Sequence, residues 1–242
     1  MTTYVLVPGF WLGAWAWQRV TTRLRADGHT VYPLTLTGLA DRAHLAGPDI
    51  TLDTHTADIT GLLTYEDLTD VILVAHSGAG APATVAADRT PERIARIVYV
   101  DSGPIPDGIQ PIDMTGRDLV ETHLRDGWRL PWIDLDQHAA NGTKLDGLTD
   151  ADRALMATRA TDHPVGALTQ PVKLTGAVDT LPKGLISCMF PLDQITEMIR
   201  AGHPWFAGMD DPRWEIRALP TSHWPMFSEP EGLALQLAAF TK

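Results

Sequence analysis

A serine hydroxyl is a poor nucleophile near neutral pH. To attack a carbonyl it needs a base within hydrogen-bond reach, an acid that orients the base, and N–H donors for the oxyanion. This chain offers a candidate for each. Ser77 lies in Ala75-His76-Ser77-Gly78-Ala79, with small residues two positions to either side. Small-x-Ser-x-small between a strand and a helix is the nucleophile elbow, a strained turn that lifts a hydroxyl from the end of a sheet. The candidate base is His223, in the loop Pro220-Thr221-Ser222-His223-Trp224-Pro225 near the end of the chain. Two acids stay open. Asp101 closes the strand that follows Ser77 and is preferred. Asp193, the alternative, follows a later strand but is expected in the first turn of a helix, where a carboxylate serves the dipole. The oxyanion donors are the N–H groups of Gly78 and Phe10, with Trp11 as backup, and Gly9 lets that backbone turn toward the site.

The elements that must position these groups alternate. Residues 71–75 form a short, apolar, β-branched run, as a strand buried on both faces should, and 81–88 reads as the helix after it. Before them come a strand at 4–7, a helix at 16–27 that buries Trp17, Val20 and Leu24 and ends at Gly28, a strand at 30–32 and a helix at 51–63. A strand at 94–100 follows. The rhythm then breaks: 104–183 is irregular and rich in Asp, Gly, Pro and Trp, with helices expected at 119–125 and 150–160. Strands at 184–188 and 214–219 and helices at 192–200 and 230–240 restore it. Alternating strands and helices predict a parallel sheet covered on both faces. The expected organisation is a core of residues 1–103 and 184–242, with 104–183 inserted as a lid over the carboxyl edge of the sheet.

Gly78-Ala79-Gly80-Ala81-Pro82-Ala83, with Asp101 downstream, also fits the dinucleotide-binding fingerprint. That reading leaves the Pro8-Gly9 turn and the His223 loop without roles, and it places the fingerprint on a strand that two others precede. It fails on economy. The net charge of -11 argues against nucleic acid and anionic membrane as partners. The single cysteine, Cys188, allows no internal disulfide and suits the cytoplasm. No leader and no apolar run of membrane-spanning length is visible. No His-Glu-x-x-His or Cys-x-x-Cys occurs, so neither metal nor cofactor is expected. Of the eight tryptophans, Trp11, Trp128, Trp132 and Trp224 are candidates to line an apolar pocket. His163 and His203 each precede a proline and are expected in turns.

The stretches Val5-Leu6-Val7-Pro8-Gly9-Phe10-Trp11-Leu12-Gly13-Ala14-Trp15, Thr37-Gly38-Leu39-Ala40-Asp41-Arg42-Ala43-His44-Leu45 and Thr51-Leu52-Asp53-Thr54-His55, with the serine turn and Ser222-His223-Trp224-Pro225-Met226, carry a likeness. They resemble bacterial α/β-hydrolase-fold esterases akin to plant methyl esterases and hydroxynitrile lyases. The resemblance covers the core at both ends and not the middle segment. It implies an α/β-hydrolase fold with a mostly parallel sheet of about six strands. It also implies a triad in the order serine, acid, histidine. The chain departs from the pattern in places. Ala75 and Ala79 replace two glycines of Gly-His-Ser-x-Gly-Gly, and Pro8 stands where histidine is frequent. The acid usual after the later strand is missing, which favours Asp101. The lyases' lysine near that acid has no counterpart, since Met189-Phe190 stands there. The expected function is hydrolysis of a carboxylic ester or lactone of a small, fairly hydrophobic molecule. A lyase reaction and a non-catalytic small-molecule binder on the same fold are the alternatives, and a homodimer stays open.

Overall fold

The computed structural model describes residues 1–206 and 208–240. Among these the strands are β1 (Thr3–Val7), β2 (Thr30–Pro33), β3 (Val71–His76), β4 (Ile94–Val100), β5 (Arg129–Leu130), β6 (His163–Pro164), β7 (Lys183–Ser187) and β8 (Trp214–Ala218). Six of them form one sheet in the order β2-β1-β3-β4-β7-β8, every pair parallel. The short β5 and β6 pair antiparallel as a separate ribbon.

Side chains alternate across the sheet, and both faces are covered. Leu6, Ile72, Val74, Val98 and Val100 point to one side. There they meet Val20 and Leu24 of α1 (Gln18–Ala26) and Leu233 and Leu237 of the helix Pro230–Ala239. Val5, Val7, Leu73, Ala75, Ile97 and Tyr99 point to the other. They pack on Ile59 and Leu63 of α2 (Leu52–Tyr65) and on Ala83, Ala86 and Ala87 of α3 (Gly80–Arg89). Truncating a central member such as Leu73 to Ala would cost about 2–5 kcal/mol. Helix α1 ends where expected, at Gly28 with φ +85°, while α2 begins at a reciprocal Thr51–Thr54 capping box.

Register positions the site. Val7 pairs with Ala75, His76 with Val100, Val100 with Ile186 and Ser187 with Ala218. Five strands therefore end level with one another, and Pro8, Ser77, Asp101 and Cys188 emerge along a single edge. That carboxyl edge is where open α/β sheets place their ligands.

The segment between β4 and β7 contains short helices, Pro111–Thr115, Arg117–His123, Leu135–Ala140, Asp150–Arg159 and Gly166–Thr169. Ile112, Val120, Leu130, Ile133 and Leu168 cluster with Phe10 and Trp11 of the loop after β1. The helix expected at 119–125 runs from Arg117 to His123 instead; it stops early as Leu124 turns extended ahead of Asp126 and Gly127, which take φ of +51° and +74°. That is the Asp-Gly hairpin turn; it links Arg125 to Arg129 and leads into the ribbon. His163, expected in a turn, is instead buried in β6 beside Phe10 and His55. No helix among the described residues is long and apolar enough to cross a membrane.

Candidate active site

Ser77 follows β3 directly with φ +50°, a left-handed conformation that a non-glycine residue enters only when its surroundings enforce it. Those surroundings are close backbones. A Cβ on Gly9 would come within 2.9 Å of the Ser77 Cβ, and one on Gly78 would sit 2.1 Å from the Phe10 ring. Ala75 and Ala79 are buried at the same turn, so methyl groups fit where the related pattern has glycines. The Ser102 hydroxyl donates to the Ser77 carbonyl.

The Ser77 hydroxyl lies 2.8 Å from Nε2 of His223, and Nδ1 of His223 lies 2.6 Å from Oδ2 of Asp101. A carboxylate only accepts, so the arrangement assigns the proton to Nδ1 and leaves Nε2 as the acceptor for the serine. Asp101 also has positive φ, +45°. Its second oxygen accepts the N–H groups of Cys188 at 2.9 Å and Met189 at 3.1 Å. Burial by itself raises the Asp101 pKa. The His223 hydrogen bond and charge, with the two backbone donors, outweigh that and hold the carboxyl below its ordinary value. Asp193 stands elsewhere, exposed on the first turn of the helix Leu192–Arg200, its carboxylate accepting the N–H of Gln194. The structure thus brings Ser77, His223 and Asp101 together and leaves Asp193 out.

The Phe10 N–H donates to no acceptor among the described residues, and the Phe10 ring lies over Gly78, the residue after the serine. Trp11 has φ +65°. Its carbonyl accepts the Thr161 N–H and its indole N–H donates to the Leu130 carbonyl, each at 3.0 Å. Trp11 therefore anchors the loop to the middle segment.

A strand, a strained serine turn, a late histidine and a six-stranded parallel sheet describe a family, and the sequence matches it: residues 4–236 fit the pattern of the Alpha/beta hydrolase family. The chain belongs to that family. A carbendazim hydrolyzing esterase of Nocardioides sp. (strain SG-4G) is 44% identical over 102 residues, 42% of each chain. Methylesterase 9 of Arabidopsis thaliana is 28% identical over 98% of this chain and 97% of its own. Several of the curated relatives are matched over less than half their length, the carbendazim enzyme among them. An extracellular alpha/beta-hydrolase from a Paenibacillus species has the same fold, with a TM-score of 0.78 at 20% identity over 99% of this chain and 98% of that one.

In this alpha/beta hydrolase the serine opens into a cavity of about 610 Å³. Trp11 and Trp224 are in its wall, but Trp128 and Trp132 are not. Trp128 closes the Asp126-Gly127 turn, and its ring carries the Arg129 guanidinium at 5.2 Å. Trp132 stands behind the wall, its centroid 5.4 Å from Trp11 and 6.3 Å from Trp224. The sequence reading missed Trp205, half exposed at the cavity, as well as Met114 and His138. His138 lies against Trp11, Trp132 and Trp224. Burial, aided by the charge of nearby His223, lowers its pKa to about 4. No spacing in the sequence marks these residues, because short helices of the middle segment bring in Met114 and His138 and a short turn at Pro204–Phe206 brings in Trp205.

Proposed function

We propose that this alpha/beta hydrolase cleaves a carboxylic ester or lactone of a small, fairly hydrophobic substrate through an acyl-enzyme on Ser77. His223 Nε2 takes the hydroxyl proton as the serine oxygen bonds to the carbonyl carbon. The N–H groups of Phe10 and Gly78 receive the oxyanion, and each such donor is worth about 10²–10³ in rate in comparable enzymes. His223 returns the proton to the leaving alcohol, then takes one from water as the water oxygen bonds to the acyl carbon, and passes it to the Ser77 oxygen as the acyl–oxygen bond breaks and the acid leaves. Asp101 keeps the imidazole in the required tautomer and stabilises its charged form.

The observation that carries this reading is the line from Ser77 to His223 to Asp101, with gaps of 2.8 and 2.6 Å, set in a cavity that Met114, Leu119, Phe190, Trp205 and Phe206 make apolar. Relatives named as esterases favour an ester over other acyl bonds. The same wall supports a lid at 104–183 over a core of 1–103 and 184–242, since Met114, Leu119 and His138 reach the cavity from that segment. Labelling with a fluorophosphonate probe tests the proposal. Wild type should be labelled and should turn over p-nitrophenyl esters, whereas Ser77→Ala should lose labelling and at least about 10⁴-fold of kcat. Cyanohydrin cleavage without ester turnover would indicate a lyase, and neither activity would indicate a binder.

A further inference from the structure

We propose that His76 is a positioning residue whose imidazole N–H fixes the backbone of His223 against the turn that carries Ser77. The inference rests on the Ser77–His223 pair proposed above and concerns what keeps that pair in line.

His76 is the last residue of β3 and is fully buried. Its Nε2 lies 2.7 Å from the carbonyl oxygen of His223. A carbonyl only accepts, so Nε2 bears the hydrogen, and Nδ1 is left with a lone pair and no partner. That nitrogen faces the loop after β1, where a Cβ on Gly9 would approach it to 2.8 Å. Burying an imidazole with one unsatisfied nitrogen is unfavourable, and an aliphatic side chain would suit the surrounding apolar cluster better. The compensation is geometric. His223 sits in an irregular loop, and three hydrogen bonds besides the one to Ser77 fix it: its N–H donates to the Lys144 carbonyl at 3.0 Å, its carbonyl accepts from His76, and its Nδ1–H donates to Asp101. Only His76 among these is covalently joined to the nucleophile. The base is thereby referenced to the serine through one residue rather than through 146 positions of chain.

Neutrality suits the role. Desolvation by burial, together with the neighbouring His223, pushes the His76 pKa down to about 3. The ring stays an uncharged donor while His223, its centroid 5.0 Å away, gains a proton in the reaction. A second positive charge at that distance would oppose the step.

The test compares His76→Gln, whose amide N–H can reach the place of Nε2, with His76→Leu and the shorter His76→Asn. Kinetics on a p-nitrophenyl ester, thermal melting, and the far-downfield proton resonance of the His223–Asp101 hydrogen bond are read on each. Because a misplacement of about 1 Å can cost about 10²-fold, Leu and Asn should lower kcat by roughly that factor. KM should stay unchanged, and the downfield resonance should shift or vanish. Gln should restore both kcat and the resonance. If the Leu variant does not fold, the Gln and Asn pair decides alone. A folded Leu or Asn variant with near-normal kcat, or a Gln variant as slow as the others with the resonance intact, overturns the proposal. Ester turnover that survives Ser77→Ala would instead sink the hydrolase reading on which it rests.

Discussion

The turns after β4 and β7 are neighbours on one edge of the sheet, and they divide a single task. The first turn begins with Asp101, bent by a positive φ so that its carboxylate meets His223. The second reads Cys188-Met189-Phe190 and brings no acid, yet its two N–H groups grip the free oxygen of Asp101. A carboxylate is needed at one point in space, and the two strands end level enough for either turn to reach it. The turn without the charge supplies donors that hold the charge of the other.

Removing the carboxylate is the severest way to break this pairing. Asp101→Asn should leave the fold intact and lower kcat by about 10⁴-fold, because an amide can direct its own N–H at the ring and favour the wrong tautomer. Steady-state kinetics with a p-nitrophenyl ester would measure it, and a loss below tenfold would assign the orienting role elsewhere. A graft sharpens the comparison. Asp101→Ala combined with Met189→Asp places the acid on the second turn, and kcat should recover about tenfold over Asp101→Ala alone, roughly 1.4 kcal/mol of barrier. No recovery would mean that the turns are not interchangeable.

The same contrast explains what the sequence made legible. Ser77, His223 and Asp101 follow sheet strands or sit in the loop after the last one, and hydrophobic runs with sharp ends locate such positions well. The two-faced sheet was legible for the same reason: 71–75 is a continuous apolar strand, and 94–100 is one apart from Arg96. Strand ends, however, say nothing of which acid the histidine meets. That choice is made by the backbone bend at Asp101 and by the N–H groups of Cys188 and Met189, and backbone donors carry no residue signature. Nor did tryptophan spacing identify the cavity wall. Trp128 was drawn away by a hairpin turn at Asp126-Gly127, while Trp205 entered from a short turn after a surface helix. His76 was legible as part of the serine pattern but not as a partner of His223, a contact across 147 positions.

Acid titration of stability separates the two kinds of buried group at this edge. The folded pKa values of His76, about 3, and His138, about 4, lie below the ordinary imidazole value. The unfolded chain therefore binds protons that the folded chain refuses. Stability should be full above about pH 6.5 and decline toward pH 4, by up to about 1.4 kcal/mol per pH unit for each such ring. Asp101 acts in a lower window. Its folded pKa is depressed, so its contribution is present above the unfolded carboxylate value of about 3.9 and is lost as pH falls below it. Urea midpoints measured from pH 7.5 to 2.5 should show both slopes in wild type. Asp53, Asp88, Asp152 and Asp211 are also held below the ordinary carboxylate value and share that window, so Asp101→Asn should reduce the lower slope without abolishing it and leave the upper one unchanged. A variant whose lower slope equalled that of wild type would show that the β7 turn does not stabilise the charged form.

The smallest effect belongs to the other acid. Asp193 sits past the β7 turn, on the first turn of the helix Leu192–Arg200, exposed and turned to the Gln194 N–H. A carboxylate there interacts with the positive end of the helix dipole, worth about 0.5 kcal/mol at an exposed position and screened by salt. Asp193→Asn should therefore change kcat by less than about twofold, while the urea midpoint falls slightly at low ionic strength and recovers in high salt. The opposite pattern, a large loss of kcat with no change in the midpoint, would move the orienting charge to the β7 side and leave Asp101 as a cap on its own turn. The geometry opposes that outcome, since the oxygen facing His223 Nδ1 at 2.6 Å is that of Asp101.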